Sequence, residues 1–473
     1  MRKNTRNKAF FFMFLLTFGS SSVQADDAAI AEKYFQWAQQ AVDEGRWGTA
    51  LIGLKRASDF AECSSDISYL FAVALLHEKQ SRDAALAAVK LAVETDEWRR
   101  YSREQGLLLQ AKIEIGFRRF QNALSLLNEV ADSAEEARIR LLAYKGLEDW
   151  SRFTTSASIA LEKHPRDVRI ARILLEAKSP DSLPEAHRPL IESVLKRLSV
   201  LLKTDPELAY IAAPFIPDTD EARRLIAAYR AVREPAPASI VGALNFGVVD
   251  GKTAIDELFH AETIDKNLIL SVWSLLRDSD GREQMRRSFL SYSGLVTEDK
   301  DQDGFVEIQI KYKVGRIVEF SYDGDFDGVF ETVVSFEDGL PSRAEIRDMQ
   351  VIWEQYPAVS SVLVNGSRYV LKPSSFFFTP LKLNNVVGVL YPEITQTVLA
   401  ERVLTNEALF IERDSSEFIG AVERIEIENG VPIRSREFLD GRVISETTFK
   451  AGKPSSEVID LDLDGIMETK RVF

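Results

Sequence analysis

Three strings of carboxylates carry most of the chemistry written in this sequence. DKDQDG begins at Asp299, DGDFDG at Asp323, 24 residues later, and DLDLDG at Asp460. Each has acids at the first, third, fifth and ninth positions: Asp299, Asp301, Asp303 and Glu307; Asp323, Asp325, Asp327 and Glu331; Asp460, Asp462, Asp464 and Glu468. Clustered carboxylates repel one another unless something neutralises them. A set of hard oxygens on a short loop suits Ca2+, which takes six to eight such ligands in flexible geometry. The alternative is three solvated acidic turns. Other catalytic patterns are thin. His77, His164, His187 and His260 show no metal-ligand or triad spacing. Ser193 and Lys196 form a Ser-x-x-Lys string without its companion motifs. In GVVDGKT, Gly247 and Gly251 are separated by three residues where a phosphate loop needs four. No enzyme class is indicated, although two carboxylates in a cleft suffice for glycoside hydrolysis.

The flanking sequence decides what kind of loop these are. After Glu307 the chain alternates Ile308, Ile310, Tyr312 and Val314 with Gln309, Lys311 and Lys313, a half-buried strand. An EF-hand needs flanking helices and a bidentate Glu at position twelve; here that position holds Ile310, Val334 and Arg471. The form Asp-x-Asp-x-Asp-Gly-x-x-acid running into a strand resembles the β-hairpin calcium loops of integrin-type propellers. That resemblance implies ligands from the first, third and fifth Asp, a carbonyl at position seven and the acid at position nine, where Glu stands in for the usual Asp.

The loops belong to a larger repeat. YKVGRIVEFSYDGDFDGVFETVVSF and FKAGKPSSEVIDLDLDGIMETKRVF share their aromatic-Lys-x-Gly opening and their acidic loop. Gly304, Gly315, Gly328 and Gly339 are spaced 11, 13 and 11, and Gly430, Gly441, Gly452 and Gly465 are spaced 11, 11 and 13. One strand plus one turn takes about eleven residues. The segments 299–342 and 424–473 resemble MORN-like β-hairpin repeats in which some turns have expanded into metal loops. Between them, Asn365-Gly366 signals a further hairpin, the Phe run at 376–378 reads as sheet core, and 391–411 reads as one amphipathic helix.

The N-terminal half has a different period. Residues 31–57 resemble a tetratricopeptide repeat: Tyr34 and Trp37 in large slots, Ala38, Ala50 and Ala57 in small ones, Gly45 and Trp47 at the turn. A second copy starts at Ser65, with Ala72, Ala84 and Leu91 in the slots; a third starts near Glu104 after a five-residue insertion, with Ala111, Phe120, Ala123 and Val130. In a fourth, ending at Pro165, Leu141 and Phe153 fall where small residues belong. The resemblance implies stacked helical hairpins whose concave face holds a protein partner.

These parts predict an α+β multidomain chain: an N-terminal α-helical TPR-like solenoid and a C-terminal antiparallel β repeat sheet with one packed helix. Residues 1–25 read as a signal peptide, with Arg2, Lys3, Arg6 and Lys8 before an apolar run and Ala25 at the cleavage point. Then follow a helical array at 26–232, a Pro-Ala linker at 233–239, a mixed connector at 240–290 and the β domain at 291–473. The net charge is −14, or −18 without the four basic residues of the signal peptide, which disfavours nucleic acid and anionic membrane as partners. The single cysteine, Cys63, excludes an internal disulfide framework and, not standing at the cleavage point, predicts no lipid anchor. The expectation is a periplasmic or secreted, non-enzymatic scaffold with calcium as structural cofactor. The alternative is a carbohydrate- or cell-wall-acting envelope protein with its site in the β domain.

Overall fold

The computed structural model describes residues 21–60, 64–78, 81–165, 167–177, 185–232, 238–300, 304–372, 378, 381–386, 389–394, 401–460 and 462–473. The basic and apolar N-terminal segment, Cys63, most of the Pro-Ala linker, Phe376 and Phe377, and Asp301 and Asp303 lie outside these residues. Contacts divide the chain into two compact units, Met1–Ile170 and Ala171–Phe473. The helices at 171–232 therefore belong with the C-terminal unit.

In the first unit, α1 (Ser21–Asp43) pairs with α2 (Trp47–Phe60), α3 (Ser65–His77) with α4 (Arg82–Thr95), α5 (Arg103–Gly116) with α6 (Phe120–Leu127), and α7 (Ala134–Gly146) with α8 (Trp150–Lys163). Short polar residues start the helices by accepting otherwise unpaired amides. Ser64, Ser81, Ser133 and Asp149 cap α3, α4, α7 and α8, and Ser102 with Gln105 makes a reciprocal capping box on α5. Ala38, Ala50, Ala57, Ala72 and Ala111 are fully buried, and Ala123 likewise, so the small slots are where helices touch. The second copy corrects the predicted register. Ala84 is exposed and Leu91 is 45% exposed, while Ala85 and Ala92 are at 0%. Four residues separate α3 from α4 where three separate α1 from α2, so α4 starts one position later in the repeat. The fourth hairpin forms with Leu141 and Phe153 fully buried in its slots, so large side chains fill the space that closer helices would remove.

The second unit opens with α10 (Arg188–Leu198), α11 (Pro206–Ala212) and α12 (Thr219–Val232), after α9 (Val168–Leu175), which spans the division point. Then come α13 (Ala238–Asn245), α14 (Gly251–His260), α15 (Lys266–Leu275) and α16 (Ser279–Ser291). The strands are β1 (Thr263–Asp265), β2 (Gly294–Glu298), β3 (Ile308–Lys313), β4 (Arg316–Tyr322), β5 (Thr332–Glu337), β6 (Leu340–Ile346), β7 (Met349–Gln355), β8 (Ala358–Val364), β9 (Ser367–Leu371), β10 (Leu381–Val386), β11 (Val389–Ile394), β12 (Ala408–Asp414), β13 (Val422–Glu428), β14 (Val431–Leu439), β15 (Arg442–Lys450), β16 (Lys453–Ile459) and β17 (Thr469–Val472). The helix α17 (Glu401–Glu407) precedes β12.

Among the described residues fifteen strands make one sheet in chain order, with β10 and β11 forming a separate hairpin. All its pairs are antiparallel except β1 with β2. A single register row crosses this sheet: Val296, Ile310, Phe320, Val334, Ala344, Val351, Val362, Tyr369, Ile411 and Ile425, then Ser435, Thr447, Glu457 and Arg471. Its apolar part shares one core with Ile255, Leu258, Ile269, Val272, Met285 and Phe289 of α14–α16. Past β13 the same face turns polar. The hairpins recur with one geometry. Asp338-Gly339, Asn365-Gly366, Asn429-Gly430 and Asp440-Gly441 all have positive φ at both residues, the two-residue turn that matches strand twist. Val314-Gly315 is the same turn, and a Cβ on Gly315 would lie 2.7 Å from the Leu290 backbone.

One predicted helix is not continuous, and the mixed connector at 240–290 is broken by a strand. The 391–411 segment is the strand β11, then the short helix α17, then the strand β12, with 395–400 outside the described residues. Short apolar runs satisfy both the helical and the strand period, and pairing of β12 with β9 and β13 decides between them. The run before Leu276 breaks at β1, because the Asp265 carboxylate accepts the Asn267 and Leu268 amides and starts α15 anew.

Candidate metal centres

Each acidic loop is a widened hairpin turn, placed by the two strands it joins. Asp323 directly follows β4, and Glu331 directly precedes β5. Tyr322 pairs with Thr332 across the two strands, so the first and ninth loop residues are held face to face. Asp323 is 1% exposed. Its Oδ2 accepts the Gly328 amide at 2.7 Å and its Oδ1 accepts the Phe326 amide at 2.7 Å and the Asp327 amide at 3.2 Å. Asp327 Oδ1 accepts the Val329 amide at 2.7 Å, and Glu331 Oε2 accepts the Gly324 amide at 2.7 Å. Positive φ at Phe326 and Gly328 wraps the chain around the carboxylates.

The third loop repeats this scheme. Asp460 is 3% exposed; its Oδ2 accepts the Gly465 amide at 2.8 Å, and Asp464 Oδ1 accepts the Ile466 amide at 2.8 Å. In the first loop, Asp299 Oδ2 accepts the Gly304 amide at 2.9 Å, and the buried Glu307 accepts the Lys300 amide at 2.6 Å. Position twelve is sheet core in two loops, with Ile310 at 1% and Val334 at 0% exposure, and cannot supply a ligand.

One carboxylate oxygen from each of Asp323, Asp325, Asp327 and Glu331 lies within 4.8 Å of the others, and the same holds for Asp460, Asp462, Asp464 and Glu468. Calcium–oxygen bonds of about 2.3–2.6 Å place opposite ligands roughly 5 Å apart, so both sets have the spacing and the donor chemistry for one such ion. The set from Asp323 to Glu331 is the more enclosed. Burial, and the adjacent Asp325 carboxyl, push Glu331 up to about 7 from 4.5, against the Gly324 amide. Its Oε1 is buried without a hydrogen-bond partner among the described residues. A proton or a cation at that oxygen would relieve both the burial and the repulsion. Because every neighbour in the sheet from β2 onward is antiparallel, alternate connections share an end. The β2–β3, β4–β5 and β16–β17 loops all fall on the same end.

Sequence reasoning missed a second acidic group, on the polar part of the sheet face. Three hydroxyls donate to three carboxylates across strands: Ser415 to Glu437 at 2.6 Å, Ser435 to Glu423 at 2.7 Å, and Ser445 to Glu457 at 3.2 Å. Arg413 pairs with Glu423 and Arg471 with Glu457. Glu437 is 8% exposed, and its Oε2 has no partner among the described residues. Burial holds its carboxyl above the ordinary range; Ser415 opposes this, and Glu423, Glu417 and Glu457 add to it. Strand alternation places these residues on the core side, but only the register shows that they meet.

The remaining candidates do not converge. His77 stacks on Trp47 at 3.8 Å, His187 is buried, and His260 Nδ1 lies 2.8 Å from the Asp256 carbonyl. The start of α14, at Gly251, is capped by the Asp250 carboxylate, which accepts the Thr253 amide at 2.8 Å. Phe378 is 1% exposed and stacks on Trp353, so it is core rather than a ligand-facing surface. A cavity of about 360 Å³ among α6, α7 and α8 contains Asp132, Glu136, Arg140 and Lys163, paired as Lys163–Asp132 and Arg140–Glu136.

Fold and loops together define an α+β protein that joins a TPR-like helical unit to a large antiparallel sheet. No protein-family model matches the chain. A Treponema pallidum (strain Nichols) protein described as uncharacterized is 22% identical over 95% of this chain and 73% of its own length. Among solved structures, a tetratricopeptide repeat protein from Parabacteroides merdae is 13% identical, with 54% of this chain and 97% of that chain covered and a TM-score of 0.38. The C-terminal part of a TPR repeat-containing protein from Cytophaga hutchinsonii is 15% identical, covering 50% and 91%, with a TM-score of 0.33.

Proposed function

We propose that the chain is an exported, non-catalytic binding protein whose helical unit holds a protein partner and whose sheet is stiffened by calcium. The observation that carries this reading is repetition. Four helical hairpins and a long run of β-hairpins build extended surfaces from local contacts, the architecture that serves recognition more readily than an enclosed site. On this reading the concave face of the helical array takes the partner. Two loops with matched carboxylate spacing support calcium, and sites of the affinity typical outside cells, about 10⁻⁴–10⁻³ M, would be filled there. The basic and apolar N-terminus supports export to the periplasm or beyond.

Affinity purification of the full chain from the cell envelope, with and without chelator, tests the reading. One stoichiometric partner is expected, lost on substitution in the helical unit and retained on substitution of loop acids. A partner that depends on the sheet alone would overturn it. N-terminal sequencing of the purified protein should begin at Asp26.

A further inference from the structure

The connection between the second and third hairpins, residues 96–102, which contains the insertion, folds back onto the helices that precede it. Asp66, 4% exposed in the first turn of α3, accepts three successive amides: Arg99 at 3.1 Å, Arg100 at 2.9 Å and Tyr101 at 3.1 Å. The Glu97 amide donates to Ser65 Oγ at 2.8 Å. The side chains then cross to α1. The Arg100 guanidinium pairs with Glu32 and donates to Gln39 Oε1, and it lies 5.1 Å from the centroid of the Phe35 ring. The Tyr101 ring lies 4.7 Å from that of Tyr69 on α3, and its hydroxyl accepts from Gln39 at 3.5 Å.

Glu32, Phe35 and Gln39 stand three and four residues apart, so they form one stripe of α1. This stripe offers an acid and an amide oxygen to a cation, and a ring beneath it. The α3 side offers a main-chain anchor and a second aromatic. These are the elements that recognise an extended peptide: bonds to its backbone, and separate places for its side chains. The insertion supplies such a peptide in cis. Its side-chain grip is moderate, because Arg100 is 37% and Glu32 is 46% exposed, and exposed ion pairs contribute about 0–1 kcal/mol.

We propose that the face shared by α1 and α3 is a binding site for a peptide carrying an arginine followed by an aromatic residue, which the chain's own 97–102 segment occupies in this structure. This rests on the reading of the helical unit as protein-binding, and it names the chemistry of the partner. A tethered segment has a high effective concentration, so a partner with the same residues binds only as the segment leaves.

The test uses the full chain and a fluorescent synthetic peptide with the sequence of residues 97–103. In the first variant, Trp98→Gly, Arg99→Ser, Arg100→Gly and Tyr101→Ser remove the segment's side-chain contacts and loosen its backbone, leaving only its main-chain amides to face Asp66. The expected result is saturable peptide binding at least about tenfold tighter than to the natural chain, as loss of an intramolecular competitor requires. Adding Glu32→Lys should abolish it. Arg100→Ala with Tyr101→Ala, which removes only the side chains that reach α1 and Tyr69, is the second variant should the first not fold; it should gain weaker binding with the same sensitivity to Glu32→Lys. Equal binding to natural and variant chains, no binding to a folded variant, or indifference to Glu32→Lys would overturn the proposal. Such a failure leaves the protein-binding reading to stand or fall on recovery of a partner by the natural chain.

Discussion

The Asp323 amide donates to the Glu307 carbonyl at 2.9 Å, so the ninth residue of the first acidic loop and the first residue of the second are joined by one hydrogen bond. The two loops share one sheet end and this bond.

Calcium should therefore raise the melting temperature of the full chain. Calcium at about 100 times Kd contributes roughly 2.7 kcal/mol per independent site. Asp323→Ala with Asp327→Ala should remove the share of the second loop and weaken that of the first. The comparison must be made with and without calcium in each variant, because deleting clustered acids also relieves repulsion in the metal-free state. No bound ion by calorimetry and no shift at millimolar calcium would reduce the loops to acidic turns.

Ala72→Trp should overpack the α3–α4 hairpin. Ala72 is fully buried beside Ala85, Leu86 and Val89. Forcing a large side chain into a filled core costs about 1–3 kcal/mol or more. Denaturant unfolding followed by far-UV circular dichroism measures it, and an unchanged midpoint would place Ala72 on a surface.

Asp66→Ala should leave three amides of the 96–102 segment without their acceptor. Losing hydrogen bonds to a charged group costs about 1.5–3 kcal/mol each in the strong cases, and water will recover part of this at an exposed loop. The expected result is a destabilised chain with faster hydrogen exchange at Arg99, Arg100 and Tyr101. Continued protection of those three amides would contradict the anchor.

Glu437→Gln should stabilise the chain at neutral pH. Burial raises the folded-state value of this carboxyl above its unfolded value, so its protonated form favours folding and its ionised form opposes it. Any stabilisation by Glu437 is thus fully present below the unfolded value, near 4.5, and lost as pH rises through the folded one. Glu417, Glu423 and Glu457 face it, with Arg471 bridging Glu417 and Glu457. Melting temperatures of the two chains should differ at pH 7–8 and converge below the ordinary carboxylate range. A variant less stable at neutral pH would show that the ionised carboxylate is favoured there.

The two periods were legible because they are local. Ala38, Ala72 and Ala111 are small where the helices of the first three hairpins touch, and Asp-Gly or Asn-Gly marks four of the strand reversals. Carboxylates at fixed positions around a turn glycine were equally legible, because nine contiguous residues build the whole cluster of Asp323 to Glu331. What the chain text could not decide depends on partners distant in sequence. The Ala85 register follows from one extra turn residue whose effect appears only when α4 packs. The fate of 391–411 was settled by the pairing of β12 with strands on both sides. Ser415 meets Glu437, and Arg100 meets Glu32 68 residues away, through register and insertion geometry that no local pattern encodes. Periodicity reports which face of an element is apolar; only the assembled sheet and helices determine which polar groups that face brings together.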